Sequence, residues 1–276
     1  MKNMKNMKTI FKTNIDKLEV TYTCSLEWRE RLADTNRLIC GEDNEVVLER
    51  IETSTSLYKH NFIIFNRDVF VGNLFFGSYN PNRPYIYLAI DNKMLYTHLA
   101  GITYIAQALN LQYYRLSKLD ICLDTNKNII NKFYQLLKDE AKTIIVNNKS
   151  IKDRRTMIDN LIHFSSGSLK SIHKIKSFII KGNEIELAGY DKGLEINKTR
   201  KDYIKDNLRL NKKIYRLEIR MTNYKQISKA LEMCGIKMDE IYYHPFGESL
   251  NKVFYYTLNR IIRIKPNISI LDYLFN

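Results

Sequence analysis

Apolar and polar positions alternate with a period of two along much of the chain, and helical periodicity interrupts that alternation at intervals. Residues 17–24 set Leu18, Val20 and Tyr22 against polar neighbours, the pattern of a half-buried strand. Ser25 then stands where a helix cap belongs, ahead of a short helix over 26–33. Strands are predicted at about 45–53, 60–66, 69–76 and 85–90, separated by turn signals such as Asn66-Arg67-Asp68 and the stretch GSYNPNRP at 77–84. Connections this short cannot cross over, so the strands form an antiparallel meander. A helix over 96–109, a strand over 118–124 (KLDICLD) and an amphipathic helix over 128–142 follow, the last with Ile130, Phe133, Leu136 and Leu137 on one side. The polar, Lys-rich stretch 143–173 reads as a flexible loop. Beyond it the pattern predicts paired strands at 175–180 and 184–190, a helix over 198–211, a strand over 214–221 (IYRLEIRM) and two closing helices, 224–234 and 249–264.

Short hairpins mixed with helices indicate an α+β fold, an antiparallel sheet covered by helices on one face, rather than a doubly wound α/β one. The organisation expected is a flexible segment over 1–10, a sheet-centred domain over 11–223 and C-terminal helices over 224–276 packed on the same domain.

Three of these strands share a feature that the pattern alone brings out. In 118–124, Lys118, Asp120, Cys122 and Asp124 oppose Leu119, Ile121 and Leu123. In 184–190, Glu184, Glu186 and Tyr190 oppose Ile185 and Leu187, and in 214–221, Arg216, Glu218 and Arg220 oppose Tyr215, Leu217, Ile219 and Met221. If the strands are neighbours, one face of the sheet carries Asp120, Asp124, Glu186, Tyr190, Arg216, Glu218 and Arg220. Grouped carboxylates suit a hard divalent cation, guanidinium forks suit phosphate oxygens, and a tyrosine hydroxyl is a candidate nucleophile. That is the inventory of a phosphoryl-transfer site. An antiparallel sheet that shows water one polar face, with Glu and Arg paired across strands, gives the same pattern.

Charge narrows the partner. Lys and Arg number 44 against 30 Asp and Glu, for a net charge of +14, which favours a polyanion because phosphate contacts release condensed counterions. Nineteen Tyr and twelve Phe supply rings for stacking on unpaired bases. Basic runs at 149–155 (KSIKDRR), with Lys152, Arg154 and Arg155, and at 200–213 are candidate backbone contacts. The four cysteines are scattered, with no C-x-x-C, which indicates a reducing compartment rather than a zinc site. The opening MKNMKNMK lacks an apolar stretch and nothing approaches a membrane span of about 18 apolar residues, so a cytoplasmic protein without a membrane partner is expected.

The order LSKLDICLD (116–124), AGYDKGLEI (188–196) and YRLEIRMTN (215–223), preceded by FKTNIDKLEVTYTCS (11–25), resembles the replication initiation factor family, rolling-circle initiators of plasmids, phages and integrative elements. The resemblance spans residues 11–223 and rests on the order and spacing of short motifs. It implies a sheet-centred fold related to the HUH nucleases, a catalytic tyrosine and nicking of one DNA strand with Mg²⁺ or Mn²⁺. Carried over position by position, it offers Tyr190 as nucleophile with Asp191, Lys192 and Glu195 beside it, Asp120, Asp124 and Glu218 as metal ligands, and Arg216 and Arg220 as phosphate contacts; strand parity adds Glu186 to the metal ligands. It also implies a possible homodimer. The chain departs from HUH nucleases in having no His-x-His pair: His60, His98, His163, His173 and His244 are isolated. The rival readings are a non-catalytic basic DNA-binding protein of a plasmid or phage, a tyrosine recombinase, and a structural mobile-element protein.

Overall fold

The computed structural model describes residues 12–52, 57–80, 84–97, 101–151, 162–164, 177–182, 184–208, 213–237, 248–265 and 268–275. The chain divides into two compact units. The first comprises described parts of Met1–Asn14, Asp120–Met221 and Phe246–Asn276, the second Ile15–Leu119 and Thr222–Pro245.

The strands β1 (Lys12–Thr23), β2 (Arg37–Cys40), β3 (Val46–Arg50), β4 (Tyr58–Asn66), β5 (Val69–Ser78), β6 (Ile86–Ile90) and β7 (Gln112–Thr125) lie in the order β7-β1-β6-β5-β4-β3-β2, and all but residues 12–14 of β1 and 120–125 of β7 belong to the second unit. The expected meander is therefore present, with β2 added at its edge. Register carries one core row straight across it: Val20, Leu88, Leu74 and Phe62 stand opposite one another on four strands, and all four are fully buried. At about 1.5–3 kcal/mol for each fully buried side chain of this size, such a row fixes the register.

Helix α1 (Leu26–Asp34) begins at Ser25, whose Oγ accepts from the Trp28 N–H at 3.1 Å, as the sequence predicts. Its other end is held by Arg50 of β3. The Arg50 guanidinium donates to the carbonyls of Ala33 (2.5 Å) and Thr35 (2.9 Å), where the helix dipole is negative. Nη1 of the same guanidinium donates to His60 Nδ1 at 2.9 Å, so that imidazole nitrogen must be unprotonated. Burial, followed by the charges of Arg50 and Lys59, lowers the His60 pKa against a smaller opposing pull from Asp34. A histidine depressed in the folded state contributes stability that is complete above its unfolded value near 6.5 and is lost as pH falls through the lower folded value. Urea midpoints of the wild type should thus fall on going from pH 7.5 to pH 5, and His60→Asn should flatten that part of the fall. An identical slope in both proteins would assign it to other groups.

Helices α2 (Asn92–Thr97) and α3 (Gly101–Ala108) cover the described part of the helix predicted over 96–109, with 98–100 outside the described residues. Asn92 Nδ2 donates to the Asp16 carbonyl at 2.5 Å, which ties α2 to β1.

In the first unit the strand order is β10-β11-β12-β13-β7, with β10 (Ile162–Phe164), β11 (Ser177–Lys181), β12 (Ile185–Asp191) and β13 (Tyr215–Met221). Helix α4 (Ile129–Lys138) is capped by Asn128 and buries Ile129, Ile130, Phe133, Leu136 and Leu137. Phe133 lies flat on Phe178 of β11, ring centroids 4.0 Å apart. Gly189 of β12 is paired with Phe178, and a Cβ there would sit 2.3 Å from the Phe178 ring. Gly189→Ala must therefore push a buried ring off its partner. We expect a cost of about 1–3 kcal/mol, read from urea denaturation; a cost under about 0.5 kcal/mol would show that the ring moves freely.

The stretch expected as a flexible loop contains structure. β8 (Thr143–Val146) and β9 (Lys149–Ile151) form a hairpin whose two-residue turn, Asn147-Asn148, has both φ angles positive, at 49° and 64°. β14 (Ile262–Lys265) pairs with β8 and completes a three-stranded sheet. Asp191 caps α5 (Lys192–Thr199), so a helix starts at once where β12 ends. Arg200, left-handed at φ 55°, separates α5 from α6 (Asp202–Leu208) where one helix over 198–211 was expected. Helix α7 (Tyr224–Met233) lies within a residue of expectation. After α8 (Glu248–Ile261), β14 and a short helix α9 (Ile270–Phe275) close the described chain. No helix among the described residues is long and apolar enough to cross a membrane.

Candidate functional site

The residues that strand parity brings together, Asp120, Asp124, Glu186, Tyr190, Arg216, Glu218 and Arg220, all fall in the first unit. β12 and β13 pair antiparallel with Glu186 opposite Arg220, Ala188 opposite Glu218 and Tyr190 opposite Arg216. Residues directly opposite share a face, so Glu186, Tyr190, Arg216, Glu218 and Arg220 project to one side. Ile185, Leu187, Gly189, Leu217, Ile219 and Met221 project to the other and are buried.

On that polar side the side chains form a chain of charge-assisted hydrogen bonds. Tyr190 Oη donates to Glu218 Oε2 at 2.5 Å. The other oxygen, Glu218 Oε1, accepts from Arg220 Nε at 2.7 Å, and Arg220 Nη1 reaches Glu186 Oε1 at 2.8 Å. Burial pulls the Arg220 guanidinium down, but the hydrogen bonds and charges of Glu218 and Glu186 outweigh it and hold Arg220 above its usual pKa. Access differs along the chain. The Glu218 side chain is 4% exposed, whereas Glu186 and Arg220 are 28% and 34% exposed. Tyr190 is half-buried.

Arg216 and Asp124 lie deeper. Arg216 Nε and Nη2 clasp Asp124 Oδ1 and Oδ2 at 2.6 and 2.7 Å, and neither side chain has any exposed surface. The guanidinium expected to meet a phosphate is thus committed inside the protein, and the carboxylate expected to bind a metal has both oxygens occupied by it. The face that looks polar in sequence is closed over its centre and opens toward Glu186 and Arg220. Asp120 shares the parity of Asp124 on β7 and is 4% exposed.

Lys192 is the first residue of α5 and is buried, at 1% exposure. Its ammonium bonds both Glu195 oxygens at 2.9 Å and lies 5.6 Å from the centre of the Tyr190 ring. The strand-to-helix switch at Asp191, whose carboxylate accepts from the Leu194 N–H at 3.1 Å, is what brings that cation back over the tyrosine. Burial, followed by the Asp191 charge, raises the pKa of Tyr215, opposite Asp191 on β13.

As a metal site the donor set is uneven. Asp124, with both oxygens clasped by Arg216, does not fit as a ligand, and Glu218, with both oxygens accepting from Tyr190 and Arg220, does not fit either; Glu186 keeps hard oxygens that suit Mg²⁺ or Mn²⁺. Among the described residues no three His, Cys, Asp or Glu side chains gather into a cluster that would hold a metal by themselves. Lys152, Arg154 and Arg155 lie outside the described residues.

The direct bond from Tyr190 to Glu218 was not legible in the sequence, because the two are diagonal rather than opposite across the strand pair. A second group also went unread, an Arg115 side chain enclosed by tyrosines in the second unit; its signal was the YYR run at 113–115. Comparison with protein-family models and with curated proteins found no match to this chain, so the chemistry of the side chains themselves carries the functional reading.

Proposed function

We propose that this chain cuts and rejoins one strand of DNA through Tyr190, in the manner of the rolling-circle initiators its motifs resemble and with a fold akin to the HUH nucleases. The observation that carries the reading is the phenol of Tyr190 donating to a buried carboxylate, Glu218, with a guanidinium on that carboxylate's far oxygen. A nucleophile hydrogen-bonded to a base, with the base oriented by a third group, is the arrangement that activated nucleophiles share.

In the step proposed, Tyr190 Oη attacks a phosphate phosphorus and forms a phosphotyrosyl bond to the 5′ side. The bond to the 3′ oxygen breaks, and that oxygen takes up a proton from solvent, balanced by the phenol proton that Glu218 receives and returns to solvent, to leave a free 3′-hydroxyl. The phenol proton passes to Glu218 Oε2. A phenol is a far weaker acid than a carboxylic acid, so full transfer of the proton before attack is unfavourable. It therefore accompanies attack, as the phenol grows more acidic on binding to phosphorus. Lys192, above the ring, favours negative charge developing there, and Arg220 keeps the Glu218 carboxylate turned toward the phenol. A divalent cation held through Glu186 would polarise the phosphate and offset its charge, leaving Glu218 as the proton acceptor. Asp124 and Arg216 position β7 against β13 rather than touch DNA.

A second reading, a non-catalytic DNA-binding protein, draws on the burial of Arg216 and Asp124 and on the arginines that already neutralise the carboxylates. Incubation with supercoiled plasmid, with and without Mg²⁺ or Mn²⁺, separates the two. Metal-dependent open-circle product that EDTA suppresses supports the nickase; retardation of the plasmid without nicking in any metal supports the binder.

A further inference from the structure

In the second unit, Arg115 of β7 lies among three tyrosine rings. Its guanidinium carbon is 4.6 Å from the ring centre of Tyr224, 5.2 Å from Tyr114 and 5.5 Å from Tyr85. Tyr85 and Tyr114 stack on each other at 4.7 Å with planes only 16° apart, and their hydroxyls meet at 3.3 Å. The strands that carry them flank β1, and Tyr85 lies just past the last paired residues, Tyr22 and Ile86, so the rings close over the end of β1. These rings are not core: Tyr114 is 46% and Tyr224 38% exposed. Two residues along β6 from Tyr85, Tyr87 is half-buried and packs on Tyr58 at 5.1 Å, which extends the aromatic surface along the same face.

Arg115 is a cation that has rings but no anion. Its Nε is buried with no hydrogen-bond partner, and no ion pair to it occurs among the described residues. Cation–π contact leaves the donors at the edge of the guanidinium unused, and a phosphate supplies the acceptors they lack. Exposed ring faces accept any base that is not already paired. The chain's net charge of +14 favours the same polyanion.

We propose that Tyr85, Tyr114 and Tyr224 around Arg115 form a binding platform for single-stranded nucleic acid, with bases stacked on the tyrosines and a backbone phosphate on Arg115. The platform stands apart from the tyrosine chemistry of β12 and holds whether or not that chemistry does. Fluorescence anisotropy of the whole chain with labelled dT15 tests it, with rU15 and a 15-base-pair duplex as separate arms. Tyr114→Ala should weaken dT15 binding by roughly five- to 150-fold, the loss of one stacked base, and Arg115→Ala should weaken it through the loss of a phosphate contact. Tyr114→Phe, which keeps the ring, should bind as the wild type does. Arg115→Ala should also reduce the salt dependence, by about 0.7 in the log–log slope for one phosphate contact. The ratio of dT15 to rU15 affinity tells which sugar is preferred. If Arg115→Ala melts early, Tyr114→Ala, at a more exposed position, still decides the matter. Unchanged dT15 binding by a folded Tyr114→Ala overturns the proposal, as does an equal loss on the duplex, whose bases have no free faces to stack.

Discussion

Tyr190→Phe is expected to leave a folded protein that no longer breaks a DNA strand. The substitution removes one oxygen from a half-buried ring, so the hydrocarbon packing stays. It also deprives Glu218 of one hydrogen bond while Arg220 continues to hold the carboxylate's other oxygen. A lost bond to a charged acceptor costs about 1.5–3 kcal/mol, a tolerable fraction of the 5–15 kcal/mol typical of a domain. Activity, by contrast, should fall to the uncatalysed background, because no other atom of residue 190 can form the bond to phosphorus. Glu218→Gln provides the graded comparison. It keeps the shape and removes the proton acceptor, and should slow nicking by about 10²–10⁴-fold, the usual contribution of a positioned base. Time courses of open-circle formation check both. Persistent nicking by Tyr190→Phe would move the nucleophile to another residue.

The largest loss of stability should follow Arg216→Ala. Arg216 and Asp124 form a bidentate pair with no exposed surface on either side chain, and removal of the arginine leaves a carboxylate buried without its counter-charge. Breaking such a pair from one side costs about 3–5 kcal/mol. Equilibrium urea denaturation should show the midpoint falling accordingly. The double variant Asp124→Leu with Arg216→Met, which replaces both charges with hydrocarbon of similar volume, should recover much of the loss, because desolvation of the pair offsets most of its attraction. If Arg216→Ala cost less than about 1 kcal/mol, water would have to reach Asp124 and the interior position of the pair would be wrong.

The two sets of side chains differ in how legible they were. Alternation within 184–190 and 214–221 suffices to put Glu186, Tyr190, Arg216, Glu218 and Arg220 on one side, because the period of two leaves no other arrangement once the strands pair. Alternation does not say what covers that side. Arg216 and Asp124 read as surface groups because charged residues usually are; only three-dimensional pairing makes their burial tolerable, and the partners stand 92 positions apart. The cap at Ser25 and the helix at Asn128 were readable because caps and amphipathic faces are local. The break at Arg200 carried no glycine or proline to announce it, and the small sheet of β8, β9 and β14 depends on pairing between residues 143–146 and 262–265. Its turn, Asn147-Asn148, was a signal outweighed by the polar composition around it. The resemblance to replication initiators and strand parity meet on Asp120, Asp124, Tyr190, Arg216, Glu218 and Arg220, whereas Glu186 came from parity and Lys192 from the resemblance; the hydrogen bond from Tyr190 to Glu218 is visible only in three dimensions.

As the proposed nucleophile, Tyr190 must become joined to DNA through its oxygen. Peptide mass spectrometry of the chain after reaction with a labelled single-stranded oligonucleotide in Mn²⁺ reads that bond directly. The prediction is a phosphotyrosyl adduct on the peptide containing residue 190 and none elsewhere. An adduct on another tyrosine, or cleavage with no adduct on any residue, would contradict it.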